Sequence, residues 1–341
     1  MLINVIGIFL GVAILFYCLF GGADFGAAIL ECFLGKEKQA SQKKVIAHAL
    51  SPVWEANHVW LILAVVILFT GFPKAYSALS TIYYIPLTLM LVGVILRGCA
   101  FTFGNYDAIQ DESQKYYSLI FRISGWLVPF TLGTIAGGTL LGRPGNGDFL
   151  SSYVFPWFNL FCFSVGLFTC VLFAFLASVY LVGETGDKKL QNLFGAKART
   201  FNLAAVAAGT LVFASAQVDG FPLLSLFWSK PFSALCMGIA SLILIPLWIA
   251  LKARWNYRLR ALAIGQVVLV LLGWFNLQFP VLLNLGNIQG EGPITLTSAA
   301  APEITLRYLL IALLAGSLVV FPSLFYLLKV FKSQQLDRSS S

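Results

Sequence analysis

Residues 154–182 read VFPWFNLFCFSVGLFTCVLFAFLASVYLV, an apolar stretch without a single charged side chain. As a helix it rises 1.5 Å per residue, so it is long enough to cross the hydrocarbon core of a bilayer, which takes about 20 residues. The rest of the chain is of the same character. Of 341 residues, 59% are hydrophobic and 11% charged, whereas soluble domains average about half apolar and a quarter charged. A water-soluble fold is excluded on these grounds.

Outward from that stretch, further apolar runs lie at 3–34, 53–71, 78–103, 119–142, 200–216, 230–251, 259–283 and 305–331. With 154–182 they make nine crossings, so the expected fold class is all-α and polytopic, with residues 1–341 forming a single membrane domain. The sixth run is short, and the first and fifth are long. The first begins at Leu2 with no basic segment before it and continues through Gly21, Gly22 and Asp24 without a small-residue cleavage site, so it reads as a retained helix. Pro52 suits a helix start, and Pro86, Pro129, Pro246 and Pro322 fall inside spans, where they should kink them.

The net charge of +8 does not point to nucleic acid, because the Lys and Arg residues occur in short clusters between apolar runs instead of one patch. They read as topology signals. Leaving out Arg97, which lies inside the third run, all of the 22 Lys and Arg except Lys74, Arg143, Lys230 and Arg307 fall on one side of the membrane. By the positive-inside rule that side is the cytoplasm, which puts the N-terminus outside and the C-terminus inside. The six cysteines sit in or beside apolar runs, with no CxxC pair and no CxxCH haem-attachment site, and read as packing residues.

Ionisable side chains inside a span cost roughly 2.5–3.5 kcal/mol at its centre on insertion scales, so they are usually paired or line a wet path. Here they are Asp24 and Glu31 in the first run, Glu55 and His58 in the second, and Arg97 in the third. With the N-terminus outside, Asp24, Glu55 and Arg97 all fall in the cytoplasmic half. Glu55 and His58, three apart, share a helix face, as do Asp24 and Glu31, seven apart. Two readings stand. One is an inlet for protons, in which carboxylates and a histidine pass protons inward and Arg97 holds a carboxylate ionised or fixes its position. The other is a structural ion pair that closes the bundle.

Glu31, nearest the interface, reads as a snorkelling side chain, and Trp54 and Trp60 as interface anchors. With His48 and His58 the only histidines, two histidine pairs for two haems are impossible, and no cofactor is assigned to this chain. Small residues at spacing four, Gly7 with Gly11, Gly22 with Gly26 and Gly133 with Gly137, permit close helix approach, either to a partner or within the bundle.

Gly22-Ala23-Asp24-Phe25-Gly26, followed by Pro52-Val53-Trp54-Glu55-Ala56-Asn57-His58-Val59-Trp60, resembles the opening of subunit II of the cytochrome bd family of quinol oxidases. There a G-F-D-x-G-like segment precedes P-x-W-[DE]-x-N-x-V-W and an aromatic-rich helix ending in an arginine, as in Leu96-Arg97-Gly98. Gln278-Phe279-Pro280 resembles the penultimate helix of that family. The resemblance implies two four-helix bundles plus one extra helix, paired with a haem-bearing subunit I.

By the same resemblance, the b-type and d-type (or b-type) haems and the oxygen chemistry belong to subunit I, in a bacterial cytoplasmic membrane, with quinol as the substrate of the complex. Further neighbours would be small extra subunits, membrane lipid and quinone. Subunit II contributes assembly and a share of the proton path, for which Asp24, Glu55 and Arg97 are the matching positions and His58 a further candidate. The chain departs from the family in having Gly21 where some members carry Asp, and Glu55 where many carry Asp. The rival readings are a secondary transporter, whose polar site usually sits at the midplane between repeated halves, and an anchor subunit of another redox complex.

Overall fold

The computed structural model describes residues 1–33, 39–106, 113–142, 147–253, 256–285 and 292–339. Within these, side chains are described except at 39–41, 43–44, 47–48, 50–56, 105–106, 113–114, 256, 324–325 and 327–339. The chain is helical almost throughout. In order it forms α1 (Leu2–Glu31), α2 (Gln39–Gly71), α3 (Pro73–Ile82), α4 (Tyr84–Tyr106), α5 (Ser113–Leu141), α6 (Phe149–Tyr153) and α7 (Leu160–Val182). There follow α8 (Lys188–Val218), α9 (Leu223–Ser229), α10 (Pro231–Leu242), α11 (Leu244–Ala253), α12 (Asn256–Gln278), the short strands β1 (Val281–Leu283) and β2 (Ile294–Thr295), and α13 (Glu303–Ser339). Among the described residues eight helices are long and apolar enough to cross a membrane, or nine with the bent pair 57–71 and 73–82, whose axes differ by 116°.

The helices sort into two groups of four. α1, α2, α4 and α5 pack together, as do α7, α8, the pair α10–α11, and α12; α1 and α5 lie against α7, and α13 runs along α2 and α1. The result is the expected arrangement of two four-helix bundles plus one helix. α7 sits at the junction, and its apolar residues are buried almost all round, as a helix that is hydrophobic on every face must be.

Two helices reach well past their apolar runs. α2 starts at Gln39 and passes through position 52, where the sequence reading placed its start. Gln42, Ile46 and Ala49 are buried; at spacings of four and three they form one stripe, so the extension is an amphipathic helix held by packing. α8 starts at Lys188, capped by the Asp187 carboxylate accepting from Lys189 N at 2.7 Å, and buries Leu190, Phe194, Ala198 and Phe201 along one face. Its polar half hides it from a hydropathy reading, which expects only a short run at 200–216.

The prolines act unevenly. Pro129 and Pro322 lie inside continuous helices. Pro86 stands in the first turn of α4, just beyond the break between α3 and α4 at Tyr83. Pro246 lies just beyond the break between α10 and α11 at Ile243. The run 259–283 is helical only to Gln278, because Pro280 can neither donate to the ladder nor leave Phe279 helical. Beyond it β1 pairs antiparallel with β2.

Glycines set the closest approaches. A Cβ at Gly26 would stand 2.0 Å from Phe173 O of α7, and one at Gly133 would meet Val165 O at 2.7 Å. Both glycine pairs, Gly22 with Gly26 and Gly133 with Gly137, therefore pack α1 and α5 on α7, and the alternative of a partner interface at these positions falls away.

Several basic residues read as topology signals also cap helices. Lys230 Nζ donates to the carbonyls of Asn276, Leu277 and Phe279, each at 2.9 Å, closing the end of α12. Lys197 Nζ donates to Phe33 O beyond α1, and Arg260 Nη2 joins Tyr180 O at 2.7 Å and Glu184 Oε1 at 2.6 Å at the end of α7.

Candidate functional site: a buried ion pair between the first and fourth helices

α1 and α4 bring Asp24 and Arg97 into contact, although 73 positions separate them. Arg97 Nη2 donates to the Asp24 main-chain carbonyl at 2.7 Å and to its carboxylate Oδ1. Both side chains are withdrawn from solvent, at 0% and 1% exposure. The guanidinium lies over the Phe121 ring of α5 at 4.0 Å and over Phe25 of α1 at 5.4 Å, so its faces meet π-density while its edge meets the carboxylate. Phe25 adjoins Asp24 in sequence, and Phe121 projects from the helix that packs on both α1 and α4.

The pair is incompletely satisfied. Asp24 Oδ2 and Arg97 Nε and Nη1 have no hydrogen-bond partner among the described residues. A buried charge held by one strong contact, with further donors and an acceptor unused, retains hydrogen-bonding capacity towards water or a mobile proton. His58 of α2 is half-buried and close enough to feel both the Asp24 and Arg97 charges. The Glu55 side chain lies outside the described residues, as do those of His48 and Trp54. Of the four predicted site residues, the structure thus joins Asp24 to Arg97 and sets His58 within their field.

Two expectations need correction. Glu31 does not snorkel. It is buried at 8% exposure and accepts from Ser118 Oγ of α5 at 2.5 Å, because α5 covers the end of α1. Trp60 is no interface anchor: it is 3% exposed, stacked on Phe16 at 4.5 Å between ring centroids, with Phe321 of α13 at 5.9 Å. It ties α1, α2 and α13 together.

Sequence reasoning missed Asn57 and Tyr17. Asn57 stands inside the quoted Trp54–Trp60 segment and is wholly buried. Tyr17 lies seven residues before Asp24, the helical spacing that marks a shared face, and this was its available signal. In the second bundle Trp248 Nε1 donates to Asn202 Oδ1 at 2.9 Å, and Gln266 Nε2 to Ala240 O at 3.2 Å beside the α10–α11 break. Among the described residues no group of three or more His, Cys, Asp or Glu is placed to hold a metal.

Fold and site together define a polytopic helical membrane protein that keeps an ion pair inside its first bundle. The chain belongs to the cytochrome bd terminal oxidase subunit II family, whose sequence model matches residues 2–331. It is therefore a subunit of a terminal oxidase, an oxidoreductase complex, and as a subunit II it implies a subunit I partner. It is 25% identical over 323 residues to the cytochrome bd ubiquinol oxidase subunit 2 of Bacillus subtilis (strain 168), covering 90% of this chain and 89% of that one. To the cytochrome bd-I ubiquinol oxidase subunit 2 of Escherichia coli (strain K12) it is 27% identical over 140 residues, 40% of this chain and 36% of that one.

Its fold is that of a chain in the structure of bd oxidase from Geobacillus thermodenitrificans, with a TM-score of 0.77 at 21% identity, covering 97% of this chain and 99% of that one. Membership of the family removes the transporter reading.

Proposed function

We propose that this chain pairs with a haem-bearing subunit I in a bacterial cytoplasmic membrane, supports assembly of that subunit, and shares in delivering protons from the cytoplasm for reduction of oxygen by quinol. The N-terminus faces outside and the C-terminus the cytoplasm, by the distribution of Lys and Arg. The b-type and d-type haems, or b-type haems alone, and the quinol site belong to subunit I. The exposed apolar side chains along α4, α10, α11 and α13 meet subunit I, lipid and small extra subunits where these exist.

The observation that carries the proton reading is the buried Asp24–Arg97 pair with its unused carboxylate oxygen. A pair that only closed a bundle gains most when every donor and acceptor is engaged. Here Arg97 keeps Asp24 in place, while Oδ2 is left to receive a proton. Glu55, on the same helix face as His58, is the group that would hand protons to Asp24 from the cytoplasmic side. Each proton taken up inside while quinol releases its own outside moves charge worth about 2.3 kcal/mol per 100 mV.

The test is oxygen consumption and haem content of the purified complex carrying Glu55→Gln or Asp24→Asn. Slowed turnover with the haems retained is the expected result. Full turnover in both variants would refute the inlet, and loss of haem with loss of turnover would assign the pair to assembly alone.

A further inference from the structure

Beyond the ion pair, the interface of α1 and α2 holds further polar atoms, on Tyr17 and Asn57, that the proton reading has not used. Tyr17, Gly21 and Asp24 follow one another along one face of α1, at spacings of four and three. At 1.5 Å per residue the ends of that row lie about 10 Å apart. Position 21 has no side chain, and a Cβ there would stand 3.1 Å from Asn57 Oδ1 and 3.3 Å from Nδ2. The Asn57 amide of α2 thus lies directly over the middle of the row. Tyr17 is 2% exposed and Asn57 0%, and Tyr17 lies within electrostatic reach of Asp24. The Tyr17 hydroxyl, both amide atoms of Asn57 and Asp24 Oδ2 have no hydrogen-bond partner among the described residues.

Buried polar atoms are almost always hydrogen-bonded, and where protein groups do not supply the partner, internal water does, making about three hydrogen bonds per molecule. The four atoms are chemically complementary to water. Asn57 offers a donor and an acceptor, Tyr17 a hydroxyl that does either, and Asp24 an acceptor.

We propose that Tyr17, Asn57 and Asp24 bind a short file of water between α1 and α2, and that Asn57 positions this water to carry the proton from Asp24 outward to Tyr17. The proposal rests on the proton-entry reading and extends it by one stage. A protonated Asp24 gives its proton to the adjacent water, that water passes one of its own protons to the Tyr17 hydroxyl oxygen as the hydroxyl releases its original proton to the next water of the file, and the carboxylate is reprotonated from the cytoplasmic side. No bond to carbon changes, and one proton enters for each that leaves. The Asn57 amide does not titrate in this range, so it acts as a positioning residue.

The experiment uses the whole complex with subunit I, as wild type and as Asn57→Leu, Asn57→Ser and Asp24→Asn. Hydroxyl-radical footprinting in ¹⁸O-water, read by mass spectrometry at Tyr17, reports water held against that ring independently of activity. Tyr17 is expected to take up label in the wild type and in Asn57→Ser, and several-fold less in Asn57→Leu. Turnover should fall about tenfold or more in Asn57→Leu with haem content unchanged, and be largely kept in Asn57→Ser.

An unlabelled Tyr17 in the wild type overturns the water site. Label lost in Asn57→Leu with turnover unchanged overturns the role of Asn57. Should Asn57→Leu fail to retain its haems, Asn57→Ala is compared with Asn57→Ala/Gly21→Ser, which returns a hydroxyl from the opposite helix; recovery of label and turnover supports the proposal, and no recovery overturns it. Full turnover in Asp24→Asn with Tyr17 still labelled would sink the proton-entry reading while leaving the water site standing, so the two failures are distinguishable.

Discussion

Replacing Arg97 by leucine isolates what the buried pair contributes to the fold. The substitution removes the 2.7 Å hydrogen bond to the Asp24 carbonyl, the contact with its carboxylate and the stacking on Phe121 at 4.0 Å. It leaves a carboxylate without its guanidinium partner at a position that is 0% exposed. Stranding one partner of a buried pair costs about 3–5 kcal/mol. At 1.4 kcal/mol per factor of ten, that is between two and four powers of ten in the folded population.

The carboxyl group has one escape, to take up a proton and become neutral, which limits the loss towards the lower figure. Asp24→Asn/Arg97→Leu removes both charges together and should recover most of the loss, since neutral replacements of buried pairs are often tolerated. The assay is the temperature at which the detergent-solubilised complex loses its haem absorption, compared across Arg97→Leu, Asp24→Asn and the double variant. A double variant no more stable than Arg97→Leu would refute the reasoning, because the penalty would then come from lost packing and not from an unpaired charge.

Two further predictions are independent of the ion pair. Gly26→Ala places a methyl group 2.0 Å from Phe173 O, a contact that only separation of α1 from α7 can relieve, so the purified complex should lose haem or fail to assemble; Gly238→Ala, with nothing within 4 Å of its Cβ, should be neutral or gain about 0.5–1 kcal/mol as a helical glycine replaced, and equal behaviour of the two would contradict the close approach. Hydrogen bonds from Ser151 hold the Asp148 carboxyl below its ordinary 3.8, so the cap of α6 is fully present above that value and lost as the pH falls through the lowered one. Amide protection at Ser151 should then drop only under strong acid, and Ser151→Ala should move that drop to higher pH.

Much of the architecture follows from composition and periodicity. A run such as 154–182 has no stable place outside a bilayer or the middle of a bundle, and α7 holds the second place inside the first. The polar residues at 24, 31, 58 and 97 were conspicuous for the same reason, since apolar surroundings make each one expensive. That Arg97 meets a carboxylate was legible, because alternate spans run the same way and put position 97 level with positions 24 and 55, but which carboxylate it meets was not. What a hydropathy pattern cannot register is an amphipathic helix half in and half out of the apolar run, and so α2 and α8 reach back to Gln39 and Lys188.

The sequence by itself determined a many-spanning helical protein and a short roster of ionisable residues within its apolar runs, because these depend on local composition and on the cost of moving charge into hydrocarbon. Only the tertiary structure decided which face of each helix meets which neighbour. That is why Glu31 bonds Ser118 instead of reaching for headgroups, why Trp60 stacks on Phe16 instead of anchoring at an interface, and why Asn57 settles over Gly21. Each of those outcomes rests on close packing between segments far apart in the chain, a property of the assembled interior that no local pattern encodes.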